Sequence, residues 1–106
     1  MSDPKQKLSA AQVEAAQLRD WTQDEETIVA TFRTGDFAAG LELTNRIGAA
    51  AEDADHHPDI LLTYPQVQVR LWSHDVGGIT SRDVRMARTI SQLAAEHGIP
   101  ATEPED

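Results

Sequence analysis

The chain has 106 residues, 40% of them hydrophobic and 5% aromatic, with a formal net charge of −9 and no cysteine. Its length predicts one domain, residues 1–106, with one modest core that gains stability by oligomerising. So acidic a surface repels phosphate backbones and anionic lipids, which argues against nucleic-acid and membrane partners, and the missing cysteines exclude disulfides, thiolate metal sites and cysteine nucleophiles.

In chain order, residues 1–7 are polar and contain a proline, so a disordered tail is expected before an ordered core spanning about residues 8–98. Ser9 with Gln12 three residues later makes a capping box, and Leu8 and Val13 form the hydrophobic staple around it. This first helix is expected to run to about Asp20. Trp21 begins an extended piece, and Asp24-Glu25-Glu26 is an acidic turn. Residues 27–33 alternate, with Ile28, Ala30 and Phe32 on one side, as a half-buried strand requires. Gly35 breaks the strand and Asp36 is a natural N-cap. Phe37, Leu41, Thr44, Ile47 and Ala51 then recur at helical spacing, and this helix ends near Ala54.

Two strands follow, with Ile60, Leu62 and Tyr64 sharing one parity and Val67, Val69 and Leu71 another. Pro65 marks the turn between them, with Tyr64 as a turn-flanking core residue. Gly77-Gly78 makes a loop, and Thr80 caps a last helix with Asp83 at its third position. Val84, Ala87, Ile90, Leu93 and Ala94 form that helix's inner stripe, and Gly98 and Pro100 end it. Arg82, Arg85 and Arg88 are expected on its solvated face, His97 near its end is expected to be structural, and residues 103–106 are expected to be disordered. No transmembrane run or signal-peptide pattern is present, so a cytoplasmic location is expected. Hairpin-linked strands with helices on one face give an α+β layer architecture of order αββαββα.

Three of the four histidines fall in one segment, His56 and His57 before Pro58, then His74 after the hairpin. The residue before a proline is pushed out of helical geometry, so His57 should be extended. If Tyr64 pairs with Val67 across a Pro65-Gln66 turn, all six alternating apolar residues face one side and His57 falls opposite His74. Periodicity alone thus gathers the imidazoles at one end of the hairpin. Imidazole can give or take a proton near neutral pH, so the cluster suggests proton transfer. Three imidazoles and Glu52 could also bind zinc, but adjacent histidines on extended chain point in different directions and no standard metal spacing appears. No metal is therefore expected.

The pattern Glu52, His56-His57-Pro58, Tyr64, His74 and Asp83 resembles the pterin-4a-carbinolamine dehydratases, as does the whole stretch from Ser73 to Asp83. The resemblance covers about residues 8–98. It implies a four-stranded antiparallel sheet with three helices packed on one face, a homodimer or homotetramer, and dehydration of 4a-hydroxytetrahydropterin to the quinonoid dihydropterin without metal or cofactor. This reaction recycles the cofactor of aromatic amino-acid hydroxylases. The family's three catalytic or pterin-binding histidines carry over to His56, His57 and His74, and its motif aspartate to Asp83. Ile60 stands where many members have an aromatic residue. Of the imidazoles, His56 and His74 are read as the acid–base pair and His57 as orienting the pterin. Glu52 supports the site or is a solvated residue on the last turn of its helix. Asp83 serves as helix cap, site support or both. Trp72, on the parity of His74, is a pterin platform or packing surface. The alternative is a non-catalytic interaction protein on the same fold, since some members of the family also act as dimerisation cofactors for a transcription factor.

Overall fold

The computed structural model describes residues 3–102. Its elements are α1 (Ala10–Ala15), β1 (Thr22–Asp24), β2 (Thr27–Arg33), α2 (Phe37–Ala54), β3 (Asp59–Thr63), β4 (Gln66–Leu71) and α3 (Ser81–Glu96). The strands form one antiparallel sheet in the order β1-β2-β4-β3. Ile28, Ala30 and Phe32 of β2 and Val67, Val69 and Leu71 of β4 are buried on one face, in a core shared with Leu43, Ile47 and Ala51 of α2 and Ala87, Ile90 and Ala94 of α3. The alternation of the central strands and the helical stripes thus meet in a single layer pair, the expected α+β arrangement.

Each helix begins where its cap is written. Ser9 and Thr80 each complete a capping box, and the Asp36 side chain accepts from the Ala39 amide at 2.8 Å. The end of α1 differs from the expectation of Asp20. The chain leaves helical geometry at Gln17, with φ 54°. Leaving early lets Leu18 and Trp21 reach the core, where Trp21 is buried and its Nε1 donates to Ser91 Oγ at 3.0 Å.

The β3–β4 register also differs. Leu62 faces Val67 and Thr63 faces Gln66, so the turn is Tyr64-Pro65 and Tyr64 is 67% exposed rather than a core residue. The slip is two positions, which keeps every side chain on its expected face. Alternation fixes the face of a strand and is blind to even-numbered slips. What sets the turn is tertiary: the Pro65 carbonyl accepts from the amides of Thr34 and Gly35 at 3.0 and 3.1 Å.

Two terminal stretches lie outside the expected core yet pack on it. Arg82 Nε donates to the Pro4 carbonyl at 2.8 Å, and Lys7 pairs with Glu26 at 2.7 Å. These contacts replace the disordered tail expected at residues 3–7. At the other end, the Arg33 amide donates to Pro100 O and the Thr102 amide to Thr31 O, which covers the edge of β2 beyond short β1. The expectations for residues 1–2 and 103–106 fall outside the described residues.

Candidate active site

The expected site residues come from the C-terminal end of α2, the entry to β3, the exit of β4 and the first turn of α3. Helix α2 closes at Asp55, a left-handed C-cap with φ 51° and ψ 44°. That turn releases His56 and His57 in different directions. His56 turns inward and its side chain is 10% exposed, whereas the His57 side chain is 55% exposed.

Asp83 bonds both to the start of α3 and to His56. Its Oδ2 accepts from the Thr80 amide at 2.9 Å, the return half of the capping box, and from Ser73 Oγ at 2.8 Å. Its Oδ1 lies 2.6 Å from His56 Nε2. The carboxylate is fully buried, so these partners replace the water it has lost. With an ionised carboxylate at Nε2, that nitrogen carries the ring proton and Nδ1 is the nitrogen of His56 left for exchange. His57 Nε2 is bonded to Glu52 Oε2 on the surface, which ties the last turn of α2 to the orientation of the second imidazole. Glu52 is thus an exposed carboxylate paired with His57.

His74 differs from both. It is exposed, and among the described residues neither of its ring nitrogens has a hydrogen-bond partner. Its ring lies against Trp72, with centroids 4.3 Å apart and planes tilted by 47°. Continuing the observed register beyond the paired residues sets His57 beside Trp72 and not opposite His74. The three imidazoles nonetheless share one open cleft of about 250 Å³, lined by Asp55, His56, His57, Trp72, His74, Asp75 and Arg82. Ile60 packs against the core, away from this cleft. Among the described residues no group of three His, Asp or Glu side chains is placed to hold a metal ion. A larger cleft of about 680 Å³ lies at the opposite end of the sheet, among Arg33, Arg46, Pro65 and His97. It contains none of the clustered histidines, so size does not choose the site.

Four contributors were not singled out from sequence. Ser73 continues the inward parity of Val67, Val69 and Leu71, and all four are fully buried. A serine at an inward position of an apolar series is itself the signal for a buried polar partner. Asp55 carried no sequence signal beyond its place after α2. Arg82 is not on a solvated face: its Nη2 donates to Asp75 Oδ1 at 2.8 Å and its Nε to the Pro4 carbonyl at 2.8 Å. The guanidinium beside Asp75 holds that carboxyl below the usual carboxylate range.

Comparison with known proteins places the chain among relatives of one family. The family model for pterin 4 alpha carbinolamine dehydratase matches residues 6–93. A relative from Thermosynechococcus vestitus is 42% identical over 91 residues, covering 84% of this chain and 96% of the relative. One from Chloroflexus aurantiacus is 37% identical over 89 residues, covering 82% and 96% respectively. Both bear the name "Putative pterin-4-alpha-carbinolamine dehydratase". A crystal structure of a transcriptional coactivator/pterin dehydratase from Brucella melitensis superposes with a TM-score of 0.79 at 28% identity, covering 84% of this chain and 99% of that one.

Proposed function

This chain belongs to the pterin 4 alpha carbinolamine dehydratase family, and from that membership and the histidine cleft we propose that it is a hydro-lyase converting 4a-hydroxytetrahydropterin to quinonoid dihydropterin. In the reaction the C4a–oxygen bond breaks, the hydroxyl leaves with a proton as water, N5 loses its proton, and the C4a=N5 double bond forms. Two positioned proton-transfer groups suffice, and such groups typically contribute about 10²–10⁴-fold. We assign them to His56 and His74. The observation that carries the reading is their contrast within one cleft: a buried imidazole locked at Nε2 by Asp83, and an exposed imidazole with both nitrogens unpartnered among the described residues. Asp83 fixes the tautomer of His56, so that Nδ1 is the nitrogen that exchanges a proton with substrate. His57, oriented by Glu52, hydrogen-bonds the pterin, and Trp72 offers an aromatic face on which a flat bicyclic ring stacks. No metal or cofactor is invoked.

The test is the pH dependence of kcat/KM. The wild type should show two limbs, one for the group that must be protonated and one for the group that must be neutral. His56→Ala and His74→Ala should each bring decay close to the buffer rate across that pH range. A profile unchanged by either substitution contradicts the assignment.

The same reading carries a homodimer or homotetramer in the cytoplasm. Phe37 and Leu41, one turn apart on α2 and 49% and 46% exposed, support association as apolar surface that a second copy would bury. Sedimentation at micromolar concentration tests it, with a monomer as the contrary result. A non-catalytic interaction role on the same fold is the alternative, supported by the coactivator named for the Brucella structure. It predicts that His74→Ala leaves function intact.

A further inference from the structure

We propose that Arg82, acting through Asp75, is a positioning residue for His74. The proposal rests on the dehydratase reading above. His74 is held by its neighbours rather than by its own ring. On one side Ser73 is fully buried, its Oγ 2.8 Å from Asp83 Oδ2 and 2.8 Å from Thr80 Oγ1. On the other side Asp75 accepts from Arg82 Nη2 at 2.8 Å. Both anchors lead to the first turn of α3, whose capping box uses the same Asp83 that holds His56. The distance between the two imidazoles is therefore set by one helix end.

Arg82 is suited to this because its fork is occupied in a fixed arrangement. Nε donates to the Pro4 carbonyl at 2.8 Å and lies 3.3 Å from Thr80 Oγ1, while Nη2 holds Asp75. A planar guanidinium bonded at two nitrogens holds both its partners in register, which a lysine's point charge does less strictly. Its side chain is 27% exposed and lines the histidine cleft. A half-exposed ion pair adds little to stability. The signature of a positioning role is thus a loss of turnover out of proportion to any loss of stability.

The experiment compares Arg82→Ala, Arg82→Lys, Asp75→Asn and the Asp75→Asn/Arg82→Ala double variant in pre-steady-state turnover, with urea midpoints for each. Arg82→Ala and Asp75→Asn should each lower kcat about 10–100-fold, the size of effect a misplaced catalytic group produces, with KM changed less than about twofold. Arg82→Lys, which keeps the charge on Asp75 but not the fork, should recover only part of the loss, and the double variant should lose no more than either single, as for one shared interaction. In NMR spectra the imidazole signals of His74 should move in Asp75→Asn while those of His97 stay. Singles within about twofold of wild-type kcat, in a background where His74→Ala is inactive, overturn the inference. If the wild type itself gives no acceleration, the dehydratase reading falls instead, and unmoved His74 signals in Asp75→Asn overturn the positioning role independently.

Discussion

Asp83 is a fully buried carboxylate with three bonding partners, and each partner has a different place: Thr80 begins a helix, Ser73 fixes a loop and His56 lines the histidine cleft. Replacing it by asparagine keeps the shape and changes the chemistry. If the amide nitrogen faces His56, Nε2 must accept and the ring proton moves to Nδ1, so the neutral ring presents the opposite tautomer at its exchangeable nitrogen. Asp83→Asn should therefore lower kcat at least about 10²-fold while costing only about 1–3 kcal/mol of stability. Stopped-flow turnover and urea denaturation measure the two. Unaltered kcat would separate the dyad from the chemistry. The Asp75–Arg82 pair gives a prediction of opposite emphasis. The carboxyl of Asp75 is held below its ordinary range by Arg82, so its contribution is present above that ordinary range and is lost as pH falls through the lowered value. The small difference in urea midpoint between wild type and Asp75→Asn should be constant at neutral and mildly acid pH and close toward zero at strongly acid pH. A difference that grows on acidification contradicts the pairing. The histidine trio was legible because three imidazoles in one segment stand out in an acidic chain, whereas Glu52 and Asp83 were singled out by the family resemblance and, for Asp83, by its capping box with Thr80. Arg82 was not, because its partners Asp75 and Pro4 are decided by tertiary packing and three arginines on one helix read as a solvated face.

Helix starts and strand faces follow from short-range rules, which is why the caps at Ser9, Asp36 and Thr80 and the buried parity of β2 and β4 were legible from sequence. Registers and stops depend on partners far along the chain. The slipped β3–β4 register is fixed by amides of Thr34 and Gly35, and the early end of α1 by the burial of Trp21. The stretch after α3 shows the same dependence. Pro100 and Thr102 exchange backbone hydrogen bonds with Arg33 and Thr31, and Ile99 and Ala101 pack against the core. Truncation after Gly98 should cost about 2–4 kcal/mol, from three lost backbone bonds, the Ile99 amide to Ala94 O included, and partly buried apolar surface. Urea denaturation of the truncated chain measures this. A cost within about 0.5 kcal/mol would mean that the edge of β2 needs no cover, as for an ordinary surface change.

For the whole molecule, the order of elements and the one-sided sheet were written in hydrophobic periodicity, and the family relationship was written in five separated positions from Glu52 to Asp83. The conjunction of helix ends, strand ends and a loop at one pole of the sheet was legible only in outline. Periodicity places His57 and His74 on one face but says nothing about the inward turn of His56 or the buried carboxylate that meets it. The central claim is that this pole dehydrates a 4a-hydroxytetrahydropterin using two imidazoles. The most direct measurement is stopped-flow absorbance of chemically generated 4a-hydroxytetrahydropterin, mixed with chelator-treated protein, with the His74→Ala variant and with buffer alone. Accelerated decay with the wild type and decay at the buffer rate with His74→Ala is the predicted result. Decay at the buffer rate with the wild type, or equal acceleration by both proteins, would contradict it.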